Sequence, residues 1–281
     1  MTNFKNIILF LFIFALFLGA TVEISEGSIP LGIFLLLIAL ALISRIKVGK
    51  SHIVPESRLH MLLGVLILVA DIAYNILTQS SLGTLDIMTF MLGISLVAYD
   101  IKNEEISRMG AFGTYMSTTF LLLFIPLFII FGRLDIAFMH IFDHYFVLLP
   151  MVKILNVIGI PVEVLATETV HIPGVEEMNV VIGGPCSGLY SMFLLVGIMV
   201  GYMKIEQIER HKFYSLLGIT VIVAYFANLM RVTAICLAAF FYGKEVMYMV
   251  HVHLGWIVFV IVVAILLYIL NKMADVKRSW H

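Results

Sequence analysis

The chain has 281 residues, 62% of them hydrophobic and 12% charged, with a mean hydropathy of +1.10 and a formal net charge of -1. That balance excludes a water-soluble domain, and it excludes a nucleic-acid binder, which needs a basic face to displace counterions from phosphates. Two cysteines, Cys186 and Cys236, are too few for a disulfide scaffold or a paired zinc motif.

Crossing about 30 Å of hydrocarbon takes roughly 20 mostly apolar helical residues, and eight windows of the sequence approach that length. The expected spans run from about Phe4 to Thr21, Ile29 to Ser44, Leu59 to Leu77, Leu85 to Tyr99 and Phe112 to Phe131, then from Ser187 to Met203, Phe213 to Phe240 and Met249 to Leu270. The first resembles the apolar region of a secretory signal ending near Ala20, but further spans follow at once and it reads as a transmembrane helix. No internal repeat, low-complexity tract or soluble domain is evident, so the expected fold is an all-α polytopic membrane protein.

Short loops fix the orientation, because Lys and Arg collect on the cytoplasmic side. Arg45, Lys47, Lys50 and Arg58 fill the second loop, Lys102 and Arg108 the fourth, Lys204, Arg210 and Lys212 the sixth, and Lys272, Lys277 and Arg278 the tail. With eight spans all four groups share one side, which places both termini in the cytoplasm of a multi-pass cell-membrane protein. The other loops hold little beyond Arg133, Lys153 and Lys244.

Gly132 to Pro185 joins the fifth and sixth spans on the outer side, and it mixes Asp135, His140, Asp143, His144, Glu163, Glu168, His171, Glu176 and Glu177 with apolar residues. It reads as an interfacial amphipathic helix from about Ile136 to Ile158, followed by extended stretches Val162 to Ile172 and Met178 to Ile182. The organisation expected is therefore residues 1–132 for spans one to five, 133–185 for a small extracytoplasmic cap, and 186–281 for a catalytic set of spans six to eight with a cytoplasmic tail.

Gly183-Gly184-Pro185-Cys186-Ser187-Gly188 stands where the cap meets the sixth span. The glycines permit a tight turn and Pro185 suits a first helical turn, so Cys186 lands at a helix N-terminus, where the macrodipole favours a nucleophilic thiolate. Arg231 lies in an apolar span three residues after Asn228, on the same helical face, and a charge there must face water, a partner or a site. It falls eighteen residues after Phe213, roughly 27 Å along the helix and so near the outer face.

His251-Val252-His253-Leu254-Gly255 opens the last span. Two residues turn a helix by about 200°, so the two histidines face different ways, and His251 shares its face with Gly255. The topology drawn from the loops then brings Cys186, Arg231 and His251 to the outer ends of three consecutive spans. A thiol, a base for its proton and a guanidinium for an oxyanion make a cysteine acyl-transfer set. Cys236, deeper in an apolar helix, reads as core packing.

At these residues the chain resembles the exosortase and archaeosortase family of membrane cysteine transpeptidases. Cys186-Ser187-Gly188 is similar to its Cys-Ser-Gly motif, Asn228-Leu229-Met230-Arg231 to its Asn-x-x-Arg motif, and His251, Gly255 and Phe259 to its His-x-x-x-Gly-x-x-x-Phe pattern. The motifs fall in order on three successive spans and cover about the last hundred residues; the first five spans are similar only in being hydrophobic. The resemblance implies Cys186 as nucleophile, Arg231 as transition-state stabiliser and His251 as general acid/base, with His253 as the other candidate and Ser187, Gly188 and Asn228 in support. It implies protein substrates ending in a sorting signal of short motif, transmembrane helix and basic cluster, cleaved before the helix, with the new carboxyl end passed to an acceptor. No metal or cofactor is implied. The absence of a fused soluble domain tilts the reading toward the archaeosortase-like branch and a lipid acceptor. A transporter, with midplane polar groups and an internal repeat, and a non-catalytic membrane assembly factor are the readings from other classes.

Overall fold

The computed structural model describes residues 12–13, 15–16, 19–20, 29–43, 58–78, 83–130, 138–206 and 210–276. Most of the expected first span, the cations Arg45, Lys47 and Lys50, Arg133 with Asp135, residue Glu209 and the tail residues Lys277 and Arg278 lie outside the described residues. In chain order the described elements are α1 (Ile29–Ile43), α2 (Leu59–Thr78), α3 (Thr84–Tyr99), α4 (Glu104–Phe124, continued by a π-helical stretch Ile125–Ile130) and α5 (Phe138–Val157). Strands β1 (Glu163–Ala166), β2 (Thr169–Pro173) and β3 (Glu177–Val181) follow, then a 3-10 turn Gly184–Ser187, α6 (Leu189–Glu206) and a helical run Arg210–Val276 broken at Gly243. The two arms of that run, 210–242 and 244–276, are α7 and α8.

Leu59–Thr78, Glu104–Leu127, Phe138–Val157 and His211–Leu266 are long and apolar enough to cross a membrane, and Thr84–Tyr99 and Leu189–Ile205 are shorter apolar helices. The chain is thus a helical membrane protein carrying one small sheet. The helical run Arg210–Val276, with its apolar stretch His211–Leu266, contains the last two windows read from the sequence, and the helix Phe138–Val157, expected in the outer cap, has the length and apolar content of a span. α4 begins eight residues before the expected Phe112 because Asn103 caps it: its side-chain oxygen accepts from the N–H groups of Glu105 at 3.1 Å and Ile106 at 3.2 Å. Hydropathy misses this polar first turn, whose Glu104 and Glu105 suit the positive end of the helix.

The described chain divides into two compact units. The first holds residues 46–130 and 192–221, and in it Gly197 and Gly201 of α6 lie against the backbone of Met116 and Phe112 on α4, a small-residue helix contact. The second holds residues 8–45, 131–191 and 222–281, and it contains every candidate site residue.

In the second unit the sheet is an antiparallel meander in the order β1-β2-β3. What reads in sequence as one extended stretch, Val162 to Ile172, is two strands reversing at Thr167–Glu168, a turn that carries no Gly, Pro or Asn to announce it. Val170 and Ile172 from β2, Ile182 just past β3, Leu148, Met151 and Leu155 from α5, and Val232, Cys236 and Ala239 from α7 share one apolar core. This core locks the strands to the helices, so the chain leaving β3 is held firmly as it approaches the 3-10 turn.

The reversal between α7 and α8 rests on Gly243, whose φ of 81° and ψ of -171° lie in a region essentially reserved for glycine. The β2–β3 loop caps both sides of it. Val175 N–H donates to the Phe240 carbonyl at 3.0 Å, and the Lys244 N–H donates to Glu176 Oε2 at 2.9 Å. One bond satisfies an orphan carbonyl at the end of α7, and the other places a carboxylate at the positive start of α8. The hairpin so fixed sets Arg231, twelve residues before Gly243, level with Gly255, twelve residues after it.

Candidate active site

Cys186 sits on the 3-10 turn ahead of α6, its N–H donating to the Gly183 carbonyl at 3.2 Å. Ser187 is buried and its Oγ accepts from Leu189 N–H at 3.3 Å, which ends the turn and starts α6. Gly188 has φ 78°, the left-handed region, and a Cβ there would lie 2.6 Å from Asn228 Nδ2. The glycine therefore does two things at once: it reverses the chain into α6 and leaves room for Asn228.

Asn228, on α7, donates from Nδ2 to the Cys186 carbonyl at 3.0 Å. One turn further, Arg231 points its guanidinium at α8, with its terminal nitrogen 3.5 Å from the His251 carbonyl. A Cβ on Gly255 would lie 3.0 Å from that nitrogen, so the helix approaches the guanidinium closely because residue 255 has no side chain. Arg231 Nε is buried and has no hydrogen-bond partner among the described residues.

His251 Nδ1 stands 3.9 Å from Cys186 Sγ. The Nε2–H tautomer leaves the Nδ1 lone pair facing the thiol, the arrangement needed to take its proton. His253 is half-buried and lies about 200° around α8 from His251. The structure thus brings Cys186, Asn228, Arg231 and His251 together with Gly188 and Gly255 between them. Cys236 is buried in the apolar core of α7.

The electrostatics of the thiol differ from the sequence-based expectation of a dipole-favoured thiolate. Burial pushes the Cys186 thiol up, the Arg231 guanidinium pulls it down, and the Asp143 carboxylate pushes it up again, leaving it above its ordinary value. Desolvation is the largest of these influences, and Cys186 lies on the 3-10 turn, with Ser187 and Gly188 between it and the first residue of α6. The resting thiol is neutral, and a base beside it matters more than if it were already ionised.

Asp143 is the site-forming residue that sequence reading missed as such. It is fully buried and opens the π-helical stretch Asp143–Leu148 within α5, a distortion found often at functional sites. Its signal in the sequence is one carboxylate on the apolar side of a helix, which the mixed polar content of the segment conceals. Nearby, His140 Nδ1 meets Glu168 Oε1 at 2.6 Å, His144 Nδ1 meets the Thr167 carbonyl at 2.8 Å, and Ile182 N–H donates to the Glu168 carbonyl at 2.7 Å. These contacts tie the β1–β2 turn to α5 on one side and to the segment entering Cys186 on the other. Among the described residues no three His, Cys, Asp or Glu side chains gather as a metal-ligand set.

A half-buried thiol facing an imidazole, with a guanidinium and an amide beside it on α7, defines a site suited to acyl transfer at the ends of apolar helices. The chain matches the transmembrane exosortase family (Exosortase_EpsH) over residues 24–268 and belongs to it. That family is generally one of membrane cysteine transpeptidases acting on proteins with C-terminal sorting signals. No curated protein and no solved structure matches the chain.

Proposed function

We propose that this protein is a cysteine transpeptidase that cleaves C-terminal sorting signals of surface proteins on the extracytoplasmic side of the cell membrane and transfers the new C-terminus to an acceptor, a lipid in the archaeosortase-like branch. The observation that carries the reading is the 3.9 Å approach of Cys186 Sγ to His251 Nδ1. In this reading the chain spans the membrane eight times with both termini in the cytoplasm, and the substrate's transmembrane tail enters from the bilayer with its scissile bond beside Cys186.

The chemistry follows from the donors and acceptors around the sulfur. His251 takes the thiol proton as Sγ attacks the scissile carbonyl carbon, and the carbonyl oxygen becomes an oxyanion. Arg231 lies beside this centre, and its Nε–H, which has no partner among the described residues, and its terminal N–H groups, one of which reaches the His251 carbonyl, are donors for that charge. The C–N bond breaks, the imidazolium returns its proton to the leaving amine, and a thioester on Cys186 remains. An acceptor hydroxyl or amine gives its proton to His251, attacks the thioester and expels the thiolate, which regains the proton. Asn228 holds the Cys186 carbonyl and so sets the direction of the sulfur.

The test is a reporter protein carrying a C-terminal tail from a surface protein of the same cell, comprising an extended segment, a transmembrane helix and a basic cluster. In membranes with the wild-type protein its mass should fall by the tail, and with Cys186→Ala it should stay full length. Equal processing by both would refute the reading.

A further inference from the structure

We infer that the open edge of β3 is the docking strand for the extended part of the substrate that precedes its cleaved bond, an inference that rests on the transpeptidase reading. Hydrogen-bond parity along the sheet shows which backbone groups are available. Ile182 N–H donates to the Glu168 carbonyl, so residues 168 and 182 form a hydrogen-bonded pair, and Val170↔Val180 and Ile172↔Met178 share that parity. The N–H and C=O groups of Glu177, Asn179 and Val181 therefore point away from β2. Because β3 ends the sheet, nothing among the described residues pairs with them. Their side chains are exposed, Val181 at 64%, while Ile182 turns into the core.

The two edges of this sheet are not alike. β1 carries a register shift between Val164 and Ala166, the kind of bulge that discourages a further strand. β3 pairs with β2 through five residues in unbroken register and contains no proline, lysine or bulge. A regular, uncovered edge is a liability that proteins blunt unless a chain is meant to add there.

What fixes the occupant is where β3 leads. Cys186 is the fifth residue after Val181, with Ile182 and Gly183 extended and the last three steps, Gly184 to Cys186, in the 3-10 turn. At about 3.3 Å and 2 Å per residue this is a reach of on the order of 13 Å, or about four residues of an extended peptide. A peptide added parallel to β3 runs, as β3 itself does, toward the nucleophile and then toward an apolar helix. A sorting signal has the same order: extended segment, cleaved bond, transmembrane helix. Main-chain pairing with Glu177, Asn179 and Val181 would hold that segment, with the scissile carbonyl up to about four residues beyond it.

Proline at an outward-facing position tests this, because it removes only the N–H that the substrate would use and leaves the ladder to β2 intact. Asn179→Pro and Val181→Pro should each raise the reporter concentration giving half-maximal processing by roughly three- to tenfold, the effect of one lost hydrogen bond. The maximal rate and the alkylation of Cys186 by iodoacetamide should not change. Val164→Pro on the outward side of the bulged β1 edge should process the reporter as the wild type does. Half-saturation at the wild-type concentration in both β3 variants would overturn the inference. Where either proline alters Cys186 alkylation, a photocrosslinking benzoylphenylalanine replacing Val181 in the Cys186→Ala protein decides instead. Crosslinks should map to the reporter segment just before the cleaved bond, and crosslinks confined to its transmembrane helix, or none, would overturn the inference. Processing of the reporter by Cys186→Ala at the wild-type rate would remove the transpeptidase reading itself, a distinct result that takes the docking strand with it.

Discussion

Gly188→Ala perturbs the site without touching a reacting group, and its cost follows from two separable features. A left-handed backbone costs an L-residue about 1–2 kcal/mol, and Gly188 has φ 78°. The new methyl would also overlap the Asn228 side chain, 2.6 Å from Nδ2. Asn228 must swing away and lose its bond to the Cys186 carbonyl, about 1 kcal/mol more. Expressed wholly in the transition state, 2–3 kcal/mol slows processing by about 30- to 150-fold. In an Asn228→Gly background, which removes the Asn228 Cβ as well as its amide, the overlap is gone, so the same substitution should cost only the backbone part, about 5- to 30-fold. The assay is reporter processing by the four proteins of this cycle at matched membrane abundance. An equal cost of Gly188→Ala in both backgrounds, or no cost in either, would refute the account of why this glycine follows the nucleophile.

Because the Cys186 thiol lies above its ordinary value, its thiolate is a minor species at neutral pH, and iodoacetamide alkylation should climb about tenfold per pH unit. Arg231→Gln removes the influence that lowers the thiol and should slow alkylation at pH 8, whereas Asp143→Asn removes one that raises it and should speed it; shifts of the same sign in both variants would contradict this. Arg231→Gln should lower the processing rate by about 10²- to 10³-fold, and Arg231→Lys should not restore it, since lysine keeps the charge but loses the planar fork of donors; near wild-type turnover in both would leave Arg231 without a catalytic role. His251→Ala should abolish processing while His253→Ala only weakens it, and the reverse order, measured on the same reporter, would reassign the base. Labelling of an introduced Glu176→Cys should occur from the extracytoplasmic side alone, and labelling only from the cytoplasm would invert the topology.

The membrane class and most of the helices were legible because hydrophobic length is a one-dimensional signal. The start of α4 was not, since Asn103 and the glutamates of its first turn are polar yet helical. The reversal at Thr167–Glu168 stayed hidden because no turn-forming residue marks it, while the reversal at Gly243 fell between two expected spans. The proximity of Cys186, Arg231 and His251 was legible as an expectation from loop charges and spacing; in the structure the hairpin at Gly243 sets Arg231 against α8, and Asn228 ties α7 to the Cys186 carbonyl. The environment of the thiol was not legible. Whether a helix start favours a thiolate depends on how dry the site is and on which distant charges approach, and Asp143, forty-three residues away in sequence, announces neither. The capping of the α7–α8 reversal by the β2–β3 loop is likewise a tertiary fact, since Glu176 and Lys244 are sixty-eight residues apart.

The central claim is that Cys186 carries the substrate as a thioester. Purified protein mixed with the reporter in detergent, quenched in acid within the first turnover and digested for mass spectrometry, measures this directly. The account predicts an acyl adduct on the Cys186 peptide that hydroxylamine removes, absent from Cys186→Ala and strongly reduced in His251→Ala. Cleavage of the reporter at an undiminished rate with no adduct on Cys186, or with an adduct on Cys236 instead, would contradict it.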